Sequence, residues 1–210
     1  MPHQAHDTLL RKLRISAKIA CEHLPPPLPG LFVLTDPDRM PDPLAVAAHL
    51  FGGSGLIYRH FGAPDRLATA QALAEMSRKK SFKLLIGNDP ELAQKVGANG
   101  VHWAEAKLDQ AGKWANRFEI MTAAAHSKTA MIRAREASMN AVLVSAVFPS
   151  ASPSAGAPIG PEALREWAEN VQIPTYGLGG VTEDNFDQIH GFAGAAMIGA
   201  ATMLGDKSRI

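Results

Sequence analysis

Two stretches of the chain carry residue types suited to holding an anion. Residues 144–160 read Val-Ser-Ala-Val-Phe-Pro-Ser-Ala-Ser-Pro-Ser-Ala-Gly-Ala-Pro-Ile-Gly, and residues 176–181 read Tyr-Gly-Leu-Gly-Gly-Val. Each is a short apolar run that opens into a loop of small residues. A helical segment is expected after each loop, from Pro161-Glu162 in the first case and Thr182-Glu183-Asp184 in the second. Small residues let backbone N–H groups approach a ligand, and a helix N-terminus adds about half a positive charge. The pattern predicts a phosphate between the two loops. The competing reading, that the glycines and prolines only make tight turns, stays open for either loop alone.

The elements that must position these loops alternate regularly. Strands are predicted at 31–36, 56–59, 82–86, 100–103, 118–122, 141–147, 173–178 and 195–198. Helices are predicted at 43–50, 64–79, 90–96, 107–116, 127–138, 161–170 and 182–190. The strands lack clean polar alternation, as expected when both faces are buried. Eight strand–helix units in one compact stretch predict an α/β fold, a (β/α)₈ TIM barrel, over a doubly wound open sheet. In such barrels the loops after strands seven and eight commonly bind phosphate. Gly179-Gly180 and Gly199-Ala200 fall there, with the 144–160 loop beside them after strand six.

Residues 1–30 stand apart, as an N-terminal helix and Pro-rich connector before a barrel domain at 31–210. Leu9, Leu10, Leu13, Ile15, Ile19 and Ala20 recur at helical spacing, with Arg11, Lys12, Arg14 and Lys18 between them. The helix is read as packed on the body; a membrane-surface helix is the alternative. Leu24-Pro-Pro-Pro-Leu-Pro-Gly30 ends it as a stiff connector.

Composition excludes several classes. A formal net charge of +1 gives no polyanion-binding surface, so no nucleic-acid partner is expected. No apolar run approaches the roughly 18 residues that cross a bilayer, and the N-terminus lacks a secretory pattern, so no membrane association is expected. The single cysteine, Cys21, has no internal disulfide partner and fits a reduced thiol in a cytoplasmic protein. Trp103 ends a strand and could line a pocket, whereas Trp114 and Trp167 have core contexts. His60 and His102 are possible ligands, but no spacing matches a zinc site. A homo-oligomer stays open.

Leu31-Phe-Val-Leu-Thr-Asp36, Asn88-Asp89, Leu92-Ala93, Gly97-Ala-Asn-Gly-Val-His102, Val147-Phe-Pro149, Gly160 and Gly179-Gly180-Val181-Thr182 follow one another around the expected barrel. In order and spacing they resemble the thiamine phosphate synthase family and its sister group, the thiazole tautomerases, over about 31–203. The resemblance implies a reaction: hydroxymethylpyrimidine pyrophosphate joins hydroxyethylthiazole phosphate, with Mg²⁺ assisting pyrophosphate departure. It also implies roles. Arg59 and Asn88 would contact pyrophosphate, Asp89 would bind the metal, and His126 would be the acid–base candidate of the tautomerases. Ser150 and Ser152 would flank the thiazole phosphate, held by Gly179, Gly180, Gly199 and Ala200. Asp89 also reads as an ordinary helix cap before Pro90.

The chain departs from the family pattern at four places. Phe61 replaces a lysine, Lys107 stands at the second metal-binding aspartate, Ala124 replaces a serine, and Pro153 stands where a loop lysine belongs. Glu105 or Asp109 could supply the second ligand in a shifted loop, or the Lys107 ammonium could replace part of the ion's charge. The resulting expectation is a synthase-like transferase of thiamine biosynthesis with a divergent site. The alternatives are a metal-independent tautomerase using His126 and a phosphate-binding barrel without catalysis.

Overall fold

A computed structural model describes residues 2–150 and 156–198. Eight parallel strands close on themselves in chain order: β1 (Leu31–Leu34), β2 (Ser54–Tyr58), β3 (Lys83–Gly87), β4 (Gly100–Trp103), β5 (Ile120–Ala125), β6 (Ala141–Ser145), β7 (Thr175–Leu178) and β8 (Gly194–Met197). β8 pairs with β1, Leu31 facing Ala195 and Val33 facing Met197, which closes the barrel. The predicted (β/α)₈ class is therefore the observed one.

Six α-helices accompany the strands: α1 (Pro2–Cys21), α2 (Pro43–Ala47), α3 (Arg66–Lys80), α4 (Pro90–Val96), α5 (Lys128–Glu136) and α6 (Gly160–Val171). The sequence supplies their starts. Asp42 caps α2 ahead of Pro43, Asp89 caps α4 ahead of Pro90, and the Ser127 hydroxyl accepts from Ala130 N to cap α5. Two expected helices differ. The segment after β4 is a 3-10 helix, Glu105–Trp114, and the segment after β7 is only turns with a short 3-10 stretch, Phe186–Gln188. In the second case the Asn185 side chain accepts from Thr182 N and donates to Gly180 O, which ties the turn to the end of the glycine loop.

Burial falls into two layers. Phe32, Leu34, Ile57, Leu85, Ile120, Leu143, Tyr176 and Ala196 fill the barrel interior, and Leu24 and Leu28 of the Pro-rich connector join them. Tyr176 Oη donates to Pro29 O at 2.6 Å, tying the connector to the N-terminal end of the barrel. The second layer lies between strands and helices, and α1 belongs to it through Leu9, Leu13, Ala17 and Ala20. Closure at one end by the connector leaves the C-terminal mouth as the accessible end.

Candidate functional site at the barrel mouth

The C-terminal ends of the strands enclose a cavity of about 680 Å³, within the usual size for a small-molecule site. Leu34, Leu178, Ala196, Met197 and Ile198 give it an apolar floor. Arg39, Arg59, Asn88, His102, His126 and Ser150 supply its polar wall. Among the described residues no carboxylate lines it. A cavity with two guanidinium groups and no acidic side chain favours an anionic ligand.

Arg59 follows β2 and is held by the end of β1. Its backbone N donates to Thr35 Oγ1 at 2.8 Å and its Nε donates to Thr35 O at 2.9 Å. Asp36 Oδ2 lies 3.8 Å from Arg59 Nη2 and 3.9 Å from Arg39 Nε. Asp36 is itself pinned by accepting from the N–H groups of Asp38 and Arg39. Burial pushes the Arg59 pKa down, Asp36 opposes this, and Arg39 adds to it. One carboxylate thus steadies two cations and leaves positive charge facing the cavity. The expected anionic partner for a buried arginine is partly supplied by Asp36, 23 residues upstream, which local sequence does not reveal.

Asn88 takes a left-handed backbone, φ 51°. Its N donates to His102 O and its Oδ1 accepts from Ala104 N at 2.7 Å, which fastens the end of β3 to the end of β4. His102 is buried, its Nδ1 2.9 Å from Thr122 Oγ1. Burial, helped by the Arg59 charge, pushes its pKa down to about 3, so it is neutral at physiological pH. His126 follows β5 and is 60% exposed; Glu105 Oε2 accepts from its backbone N and lies 2.9 Å from its Nδ1. That contact orients the imidazole, leaving Nε2 as the ring nitrogen available for proton transfer.

The two small-residue loops do meet. Val147 N donates to Leu178 O and Phe148 N to Gly179 O, both at 2.9 Å. Gly179 and Gly180 have φ of 85° and 68°, and a Cβ on Gly180 would lie 2.3 Å from Pro149 O. Packing of one loop on the other therefore requires these glycines, whatever ligand approaches. α6 does follow the first loop, as expected, whereas no α-helix begins after the second.

The family described as Thiamine monophosphate synthase matches residues 35–201. The chain belongs to this family. The thiamine-phosphate synthase of Methylococcus capsulatus is 33% identical over 187 residues, covering 85% of this chain and 83% of that protein. The one from Lactococcus lactis is 28% identical over 162 residues, covering 75% and 74%. Among solved structures, the thiamine phosphate pyrophosphorylase of Pyrococcus furiosus superposes with a TM-score of 0.70 at 26% identity, covering 85% of this chain and 94% of that one.

Membership in the thiamine monophosphate synthase family makes the position of each expected residue informative. Arg59, Asn88, His126, Ser150, Gly179 and Gly180 all line one cavity. Ser152, Gly199, Ala200 and Pro153 lie outside the described residues. Asp89 is not among the cavity-lining residues; its Oδ1 accepts from Leu92 N at 2.9 Å and its Oδ2 pairs with Arg66. Glu105 is engaged by His126, and Asp109, 90% exposed, lies 3.5 Å from Arg133. No three His, Cys, Asp or Glu side chains among the described residues come together as a metal-holding group. The donors present do not fit a carboxylate-held Mg²⁺. Trp103 is buried in the layer outside the strands, and neither it nor the buried His60 lines the cavity. Sequence reasoning missed Arg39 and Asp36, though both sit in the polar loop that leaves strand one.

Proposed function

We propose that this chain is a thiamine-phosphate-synthase-like transferase of thiamine biosynthesis, joining hydroxymethylpyrimidine pyrophosphate to thiazole phosphate with release of pyrophosphate. The observation that carries the reading is the cavity wall itself, which Arg39 and Arg59 line, each steadied by Asp36, while no carboxylate among the described residues lines it. In this reading Arg59, fixed by Thr35, donates to the departing pyrophosphate, and Arg39 adds a second cation. Asn88 lies on the same wall, and the 179–180 loop takes the thiazole phosphate at the opposite side. The apolar floor accepts the ring systems. The family resemblance implies Mg²⁺, but no step is assigned to it here because the donors do not fit. The partners are phosphate and pyrophosphate small molecules, and the setting is read as cytoplasmic. No described helix is long and apolar enough to cross a membrane.

The test is the two-substrate condensation assay, with and without Mg²⁺, on the wild type and Arg59→Ala. Loss of a charge-assisted contact of about 1.5–3 kcal/mol should lower kcat/KM by roughly 10- to 150-fold. Undiminished condensation in Arg59→Ala would remove Arg59 from the site.

The Glu105–His126 contact favours a second reading, isomerisation of a thiazole phosphate carboxylate with His126 carrying the proton. Metal-independent isomerisation abolished by His126→Ala would select it. Binding of thiazole phosphate in calorimetry with neither turnover would select a barrel that only binds.

A further inference from the structure

The first residue of α3 is a cation where the helix dipole favours an anion. Asp65, which precedes it, makes no side-chain cap hydrogen bond to offset this. The reason for a cation at that position lies on the neighbouring β3–α4 connection. Arg66 Nη1 pairs with Asp89 Oδ2, and Nη2 lies 3.4 Å from Gly87 O, the last residue of β3. The guanidinium is also held between two rings, 5.6 Å from the centroid of Phe61 and 6.0 Å from that of Tyr58. Its side chain is 16% exposed and that of Asp89 is 30% exposed. Three separate elements, the loop after β2, the end of β3 and the start of α4, therefore converge on one guanidinium.

We propose that Arg66 occupies, as a built-in cation, the position at Asp89 that the family resemblance assigns to a divalent metal. Both carboxylate oxygens are then engaged: Oδ1 caps α4 through Leu92 N, and Oδ2 is neutralised by Arg66. An arriving Mg²⁺ would face a fixed positive charge at the oxygen it needs, and among the described residues no second carboxylate lines the cavity. Lys107 stands in the 3-10 segment after β4, Glu105 orients His126, and Asp109 lies by Arg133. Phe61, where the family pattern has a lysine, provides one of the faces that hold Arg66. Phe61 and Arg66 thus belong to the same local arrangement.

The proposal takes from the family reading only the expectation of a metal at Asp89. Its test uses no substrate, so its failure is separate from failure of the transferase reading. Mn²⁺ serves as a spectroscopically visible stand-in for Mg²⁺, titrated into the full chain and followed by electron paramagnetic resonance. Wild type and Asp89→Asn, which keeps the helix cap, are expected to give the same isotherm. Arg66→Gln frees the carboxylate and should bind Mn²⁺ about tenfold more tightly than Arg66→Gln/Asp89→Asn, a difference near 1.4 kcal/mol. Arg66→Lys, which retains a cation, should behave as wild type. A wild-type Mn²⁺ site weakened about tenfold by Asp89→Asn overturns the proposal, and this comparison does not depend on Arg66 variants folding. Equal binding by folded Arg66→Gln and the double variant overturns it as well.

Discussion

At Gly180 the fold adds a demand for glycine that the sequence does not display. In the sequence, Gly179-Gly180 suggests a close approach of phosphate to backbone. In the fold, a Cβ at Gly180 would meet Pro149 O at 2.3 Å and Phe148 O at 2.7 Å, and one at Gly179 would meet Ala146 Cα at 2.9 Å. The contact that demands glycine comes from a loop some thirty positions away, so no local pattern displays it. Gly160 gives the comparison, because its φ is 80° but nothing lies within 4 Å of a Cβ built there. Gly160→Ala should therefore cost only the conformational penalty, about 1 kcal/mol. Gly180→Ala adds a clash with backbone and should cost about 2–4 kcal/mol, while weakening binding of any phosphate ligand. Urea denaturation of both variants checks this; equal costs would mean that the two loops are not packed as described. Arg59 and Arg66 illustrate the same limit. Their partners Asp36 and Asp89 lie 23 positions away in each case.

At the scale of elements, α1 covers a face that the chain's own crossover leaves thin. The connection from β7 to β8 contains only turns and the Phe186–Gln188 stretch, and α1 packs against β8, β1 and that stretch. Lys12 Nζ reaches Asp184 Oδ1 at 2.6 Å on the same side. The approach of α1 is close: a Cβ on Gly30 would lie 1.9 Å from Ala17 O. Gly30→Ala should push the helix off the barrel, costing about 1–3 kcal/mol and lowering Tm by roughly 2–12 °C. Thermal denaturation followed by circular dichroism reads the effect, and an unchanged Tm would show that α1 does not seal the barrel. The helix was legible from its apolar spacing, and its packed reading holds against the membrane-surface one, since Leu9, Leu13, Ala17 and Ala20 are all buried. The eight strands were legible too, because runs buried on both faces leave little ambiguity about a parallel sheet. The helix expected at 182–190 was not, because turns and the short Phe186–Gln188 stretch bury Phe186 and Ile189 as a helix would, and a hydrophobic pattern does not separate the two.

For the whole molecule, a net charge of +1 conceals an uneven distribution. The cavity collects Arg39 and Arg59 without a lining carboxylate, so a further positive charge there is opposed. His102 lies on that wall, and burial, then the Arg59 charge, depresses its pKa from 6.5 to about 3. The linkage has a definite sign. Between pH 6.5 and about 3 the unfolded chain binds a proton that the folded chain refuses, so stability rises with pH and is lost on acidification. Below pH 6 the loss from this one group should approach 1.4 kcal/mol per pH unit, roughly 2–3 kcal/mol by pH 4.5. Burial also lowers the pKa of His60, which adds in the same direction. His102→Gln removes the titrating ring while keeping a neutral polar side chain opposite Thr122. Its urea midpoint should fall less steeply than wild type between pH 6 and pH 4.5, whatever its stability at pH 7. Identical slopes would mean that His102 is protonated as readily in the folded barrel as in the unfolded chain. The cavity wall would then tolerate a third cation beside Arg39 and Arg59.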